Sequence, residues 1–137
     1  MADLVLLQLQ QAIYSKLTAD GVLMGMVQGL YDIVPEKTAF PYLVFGAARQ
    51  FPADIEHAEW SRSELTLEVY SAAKRHSETL TILNRVHGLL ELQPLVLTQA
   101  TLHELRVSHV EIEQIENPIL VRGLMHLEAI TSKSGAI

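Results

Sequence analysis

Tyr31-Asp-Ile-Val-Pro-Glu-Lys-Thr-Ala-Phe-Pro-Tyr-Leu-Val-Phe-Gly46 is a polar turn that breaks through Pro41 into a short apolar strand. Proline has no N–H to give a ladder, so it is tolerated at the start of a strand or on an edge. Tyr42, Leu43, Val44 and Phe45 are aromatic and β-forming residues, as a buried strand requires. The stretch divides a helical N-terminal third from a remainder that reads strand, helix, strand, strand. Nothing in it resembles a catalytic loop, which points to association rather than turnover.

Upstream, Asp3 is the expected N-cap of a helix running to about Thr18, with Leu6, Leu9, Ile13 and Leu17 on one stripe. Asp20-Gly21 stops it. Val22 to Gln28 can add one or two helical turns, and Leu30 to Val34 a brief extended piece. Downstream, Pro41 to Ala48 reads as a strand and Arg49 to Trp60 as a long hairpin connection. Ser61 to Ser71 alternates cleanly. Leu65, Leu67 and Val69 fall on one face, and Glu64, Thr66, Glu68 and Tyr70 on the other.

Ser77 to about Glu91 is a second long helix. Its stripe reads Leu80, Leu83, His87 and Leu90, flanked by Ile82, Val86 and Leu89. Thr101 to Glu113 is a strand whose apolar phase switches between Val107 and Val110, and a one-residue bulge near Ser108-His109 reconciles the two halves. Glu116-Asn117-Pro118 is a turn. Ile119 to Thr131 is the last strand, with Val121, Gly123, Met125, Leu127 and Ala129 on one face, and a loose polar tail covers 131–137. The expected fold is α+β: a two-layer sandwich of a mainly antiparallel four-stranded sheet with two long helices on one face.

The bulk numbers fit one domain. The chain has 137 residues, 49% of them apolar and 19% charged, enough for one core and unlike a disordered composition. A net charge of −6 argues against binding DNA by phosphate neutralisation. The absence of cysteine excludes disulfides and thiolate chemistry. The N-terminus lacks the basic region of a signal peptide, and the apolar runs are too short for a membrane span, so no membrane partner is expected.

Catalytic patterns are missing. His57, His76, His87, His103, His109 and His126 never take the spacing of a helical zinc site, and His103 and His109 could face alike only if the bulge re-phases them. Gly21 to Gly29 lacks the strand-then-glycine context of a phosphate cradle, and Ser63 has no nucleophile elbow. No catalytic residue, metal or cofactor is expected. Asp54, Glu56, Glu59, Glu64 and Glu68 crowd one region with Arg62 the lone cation, and Glu111, Glu113 and Glu116 form a second acidic cluster. Each reads as a solvated face, or as a rim that repels DNA and lets it pass. Trp60, the single tryptophan, reads as packed on its own core or as an interface anchor.

The order and spacing of several pieces resemble one family. They are Leu9-Gln-Gln-Ala-Ile-Tyr14, Leu17-Thr-Ala-Asp20, Val27-Gln-Gly-Leu-Tyr-Asp32 and Phe40-Pro-Tyr-Leu-Val-Phe-Gly46, then Ser63-Glu-Leu-Thr-Leu-Glu-Val-Tyr-Ser71, Val86-His-Gly-Leu-Leu90 and Arg122-Gly-Leu-Met-His-Leu-Glu-Ala-Ile-Thr131. Together they are similar to the tail completion or tail terminator proteins of long-tailed phages, prophages and gene transfer agents. The resemblance implies a virion assembly protein with no reaction of its own. It implies a homo-hexameric ring that caps the tail tube, meets the head-tail connector and lets DNA pass without specific binding. Assembly would take place in the host cytoplasm, and the finished protein would stand at the head-tail junction of the virion. Arg49, Phe51, Asp54, Glu56, Glu59, Trp60 and Arg62 are the expected partner contacts, drawn from the irregular segment and the start of the strand after it. A neck protein on the portal side is the alternative within that architecture. A small α+β enzyme or ligand-binding domain is the alternative of another class.

Overall fold

A computed structural model describes residues 4–53, 59–116 and 118–133. The elements run α1 (Leu6–Thr18), α2 (Gly21–Met26), β1 (Leu30–Tyr31), β2 (Tyr42–Pro52), β3 (Trp60–Ser71), α3 (Ser77–Leu90), β4 (Ala100–Ile115) and β5 (Leu120–Lys133). The sheet order is β1-β2-β3-β5-β4. β1 pairs parallel with β2, and every other pairing is antiparallel.

The α+β class stands, with two corrections. The sheet has five strands and is mixed, and there are three helices among the described residues. The fifth strand is the Leu30–Tyr31 piece, too short to carry a period. It is fixed by long-range backbone bonds, with the Leu43 amide donating to the Gly29 carbonyl and the Gln28 amide to the Pro41 carbonyl. The Phe40–Pro41 peptide is cis.

The segment Arg49 to Trp60 is not one long loop. β2 continues through Pro52, and β3 already begins at Trp60. Pro52 is tolerated because β2 has no strand on its outer side there, so the missing N–H breaks no ladder. The last strand carries on to Lys133, with Thr131 and Ser132 buried, so 131–133 are sheet rather than tail. Residues 134–137 lie outside the described residues.

Burial explains the layers. β3 alternates without a break, Ser61, Ser63, Leu65, Leu67, Val69 and Ser71 facing inward. β5 does the same with Val121, Gly123, Met125, Leu127 and Ala129. These faces meet Leu9, Ile13 and Leu17 of α1, Leu23 of α2, and Ile82, Leu83, Val86 and Leu90 of α3. The helices thus cover one face of the sheet and leave the other to solvent. Of the opening strand only Leu43 is fully buried, so Tyr42–Phe45 is half-exposed rather than sealed.

The α3 stripe is rotated from the expected one. Thr79, Ile82, Leu83, Val86 and Leu90 are buried, whereas Leu80 and His87 are exposed. A threonine takes the inward position because α3 passes close to the sheet at Gly123: a Cβ there would lie 2.7 Å from both Leu83 Cδ1 and Thr79 Cγ2. At the start of α1, the N-cap is Val5 with no side-chain cap, and its amide donates to Gln50 Oε1 at 2.8 Å. Asp3 lies outside the described residues. Asp20, expected only as a stop, caps α2 by accepting from the Leu23 amide at 2.9 Å.

Candidate docking surface

The uncovered sheet face follows from the strand registers. Arg49 of β2 stands opposite Glu64 of β3, Glu64 opposite Glu128 of β5, and Glu128 opposite Arg106 of β4. One step along, Phe51 stands opposite Arg62. Two steps the other way, Glu68 faces Val44 and Leu124, and Leu124 faces Glu111. A hairpin ladder therefore assembles residues far apart in sequence into rows.

These rows are ion-paired. Arg49 Nη2 donates to Glu64 Oε1 at 2.6 Å and Arg62 Nη1 to Glu64 Oε2 at 2.7 Å, with Glu128 Oε2 3.6 Å from the same Arg62 nitrogen. Partial burial works to raise the Glu64 carboxyl, but the Arg62 and Arg49 guanidiniums outweigh it and hold it below its ordinary value. Both guanidiniums also lie over the Phe51 ring, Arg62 at 4.7 Å from its centroid and Arg49 at 5.7 Å. Arg122 donates to Glu113 through Nε at 2.8 Å and through Nη2 as well. That carboxylate, with the Tyr70 hydroxyl behind it, raises the Arg122 guanidinium above its ordinary value. Arg62 is therefore not a lone cation among carboxylates. The described part of both acidic clusters is a mixed-charge face.

Aromatic rings mark its two ends. At one end Phe40 stacks on Tyr42 and Tyr42 on Tyr70, each pair 5.4 Å between centroids. Burial, followed by the Glu68 carboxylate, raises the Tyr42 and Tyr70 hydroxyls above their ordinary values. Glu68 in turn accepts from the Tyr70 hydroxyl at 2.6 Å and runs over Gly46, where a Cβ would come within 2.3 Å of its Oε2. A larger residue at the β2 irregularity between Phe45 and Ala48 would therefore have to push this carboxylate aside. At the other end the Trp60 indole lies flat on the His103 imidazole, 4.2 Å between centroids and 5° between planes. His103 Nε2 is 2.7 Å from the Ser132 hydroxyl. Trp60 starts its strand as expected, but half-exposed on this face and outside the core.

Of the expected partner contacts, Arg49, Phe51, Trp60 and Arg62 converge on one end of the open face. Glu59 flanks them, its carbonyl accepting from the Lys133 amide at 3.1 Å. Asp54 and Glu56 lie outside the described residues. Sequence reasoning placed Tyr70 on the face of Glu64 and Glu68 but missed that Glu128, Arg106 and Arg122 belong to the same surface. The strict alternation of the last strand, which points its even-numbered residues away from the core, was the signal that could have found two of them.

The other candidate sites dissolve or move. The Ser63 side chain is fully buried on the core side. A groove of about 780 Å³ runs beside α1, lined by residues such as Gln8, Gln11, Tyr14, Phe45, Leu95 and Val96. The most shifted carboxylate lies elsewhere. Arg85 Nε and Nη2 clamp Asp20 at 2.9 and 2.7 Å, and with the Leu23 amide they lower its carboxyl to about 2. It is spent on holding α2 to α3. Among the described residues, His109, Glu111 and His126 bring their ligand atoms within 4.8 Å of one another.

The described residues form an α+β sandwich whose bare sheet face carries ion pairs and aromatic stacks. The family model for tail completion protein gp17 matches residues 11–132, and the chain belongs to that family. Its role is accordingly structural, in the assembly of phage-type tails. The fold is similar to a chain in the virion of a native gene transfer agent particle, with 24% identity over 93% of this chain and 97% of that one and a TM-score of 0.84. It is also similar to the gp17 protein of bacteriophage SPP1, with 19% identity over 94% of this chain and 91% of that one and a TM-score of 0.58. No curated protein sequence shows a significant match.

Proposed function

We propose that copies of the chain close head-to-tail into a ring, hexameric as the family resemblance implies, which caps the tail tube and offers its other side to the head connector. The observation that carries this reading is the pair of unlike edges on one sheet. Among the described residues, the 16 of β4 have no strand on their outer side, and β2 is covered only at Leu43 and Val44. Open edges invite pairing, and two different edges at opposite sides favour heterologous, ring-closing contacts over two-fold ones. The antiparallel ladders make β2 and β4 run in opposite directions, so the β4 edge of one copy meets the β2 edge of the next as an antiparallel pair.

In this reading Arg49, Phe51, Glu59, Trp60 and Arg62 touch a partner, as would Asp54 and Glu56 in the neighbouring segment. The Arg62–Phe51 and Trp60–His103 stacks have the composition of interface anchors. Six copies would sum to about −36 by formal charge, which favours passage of DNA over retention. The work of such a ring is adhesion, not catalysis.

Light scattering of the pure chain, then electron microscopy with tail tube protein, tests the proposal. The expected result is ring-shaped caps at tube ends and a fixed tube length, both lost in Arg62→Glu. Tubes that elongate unchanged in the presence of folded chain refute capping. Binding to portal assemblies in place of tubes favours the neck protein.

A further inference from the structure

We propose that His109, Glu111 and His126 form a binding site for a transition-metal dication of the zinc or nickel type, on the bare face of the sheet. The strand register builds the site. The irregularity between Val107 and His109 of β4 sets His109 directly opposite His126 of β5, and Glu111 follows two residues on along the same strand. His126 Nε2 is 2.7 Å from Glu111 Oε2, and His109 Nε2 is 3.9 Å from the same oxygen. Two nitrogen donors and one carboxylate thus converge on one point, with open positions for water. Imidazole selects zinc, nickel and copper, whereas magnesium and calcium want oxygen cages.

The surrounding groups supply the support that metal-binding histidines require. His109 Nδ1 is 2.7 Å from the Ser108 hydroxyl, and His126 Nδ1 is 3.2 Å from the Thr66 hydroxyl on β3. Occupied Nδ1 atoms leave both Nε2 atoms as the ligating ones and hold the rings in place. A hydroxyl can donate or accept. When a metal replaces the proton at His126 Nε2, that proton is taken up at Nδ1, the ring stays neutral, and Nδ1–H donates to Thr66.

The rings stack with centroids 4.0 Å apart and 13° between planes, so their lone pairs run side by side. Gripping one ion tips them toward each other. His109 is 59% exposed and has room to turn. Arg49, which lines the same cleft as His109 and His126, is already held by Glu64. An ion here would tie β4 to β5 and, through Thr66, to β3.

Calorimetric titration of the untagged full chain with zinc chloride, with magnesium chloride as the hard-cation control, tests the site. Cobalt chloride adds a visible absorption that reports imidazole ligation. The expected result is one saturable zinc ion per chain, no magnesium uptake, and a zinc-dependent rise in Tm. Affinity falls by at least about tenfold in His126→Ala and in His109→Ala, and by roughly tenfold in Thr66→Val, which touches no metal. His109 is exposed enough for its variant to fold if His126→Ala does not. Absence of saturable binding, or binding that both alanine variants keep, overturns the site and assigns any residual uptake to the other histidines.

Discussion

Gly123→Ala and Gly88→Ala make the same chemical change in one fold and should move stability in opposite directions. At Gly123 the added methyl would lie 2.7 Å from Leu83 Cδ1 and Thr79 Cγ2, about 1 Å inside an ordinary carbon contact at each. Neither neighbour can step aside, because Thr79 is fully buried and Leu83 only 4% exposed. Overpacking of this kind costs about 1–3 kcal/mol, against which the reduced backbone freedom of alanine returns about 0.5–1 kcal/mol. The middle of these ranges leaves a net loss of about 1.3 kcal/mol, and the extreme about 2.5 kcal/mol. An unfolding entropy of about 2.1 cal/mol/K per residue gives roughly 290 cal/mol/K for 137 residues, so Tm should fall by about 4 °C, and by about 9 °C at most. Gly88 lies inside α3 with nothing within 4 Å of its would-be Cβ. There alanine should raise Tm by about 2–3 °C through helix propensity alone. Thermal unfolding followed by circular dichroism, at a concentration holding one oligomeric state, reads both. A Gly123→Ala protein as stable as the parent would refute the close approach of α3 to β5 and with it the account of why Thr79 faces inward.

Other outcomes follow from the same geometry. The Asp20 carboxyl is lowered to about 2 chiefly by Arg85, so the stability it lends is present above pH 3.8 and drains away as pH falls toward 2. Asp20→Asn should be less stable at neutral pH and show a shallower loss over that acid window in urea unfolding series; parallel pH curves would remove Asp20 from the account. Tyr42 and Tyr70 should ionise above the ordinary tyrosine range in a spectrophotometric alkaline titration, with one late component gone in Tyr70→Phe. Replacing Gly46 by alanine should displace Glu68 from the Tyr70 hydroxyl and bring the Tyr70 ionisation closer to its ordinary value, and an unchanged titration would deny that contact.

Periodicity made the central strands legible. Residues 61–71 and 119–131 alternate because a sheet covered on one side only forces polar and apolar types apart, and the phase switch near Ser108 appears as a register shift at that point. What escaped was set by contacts rather than pattern. β1 is two residues held by its neighbour. β2 runs on to Pro52 because its outer edge is free there, a condition no local reading can see. The α3 stripe was turned by its closeness to Gly123, which admits threonine where leucine was expected. Three of the partner contacts, Arg49, Phe51 and Trp60, were placed on a supposed loop and lie instead on two paired strands. The His109–His126 pair spans two strands and a turn, so only the ladder could bring it together.

Asp20 serves two masters: it closes the first turn of α2 and grips the guanidinium of α3. One carboxylate thus rivets two of the three described helices to each other behind the sheet, so α2 and α3 can slide past one another only after that grip is broken.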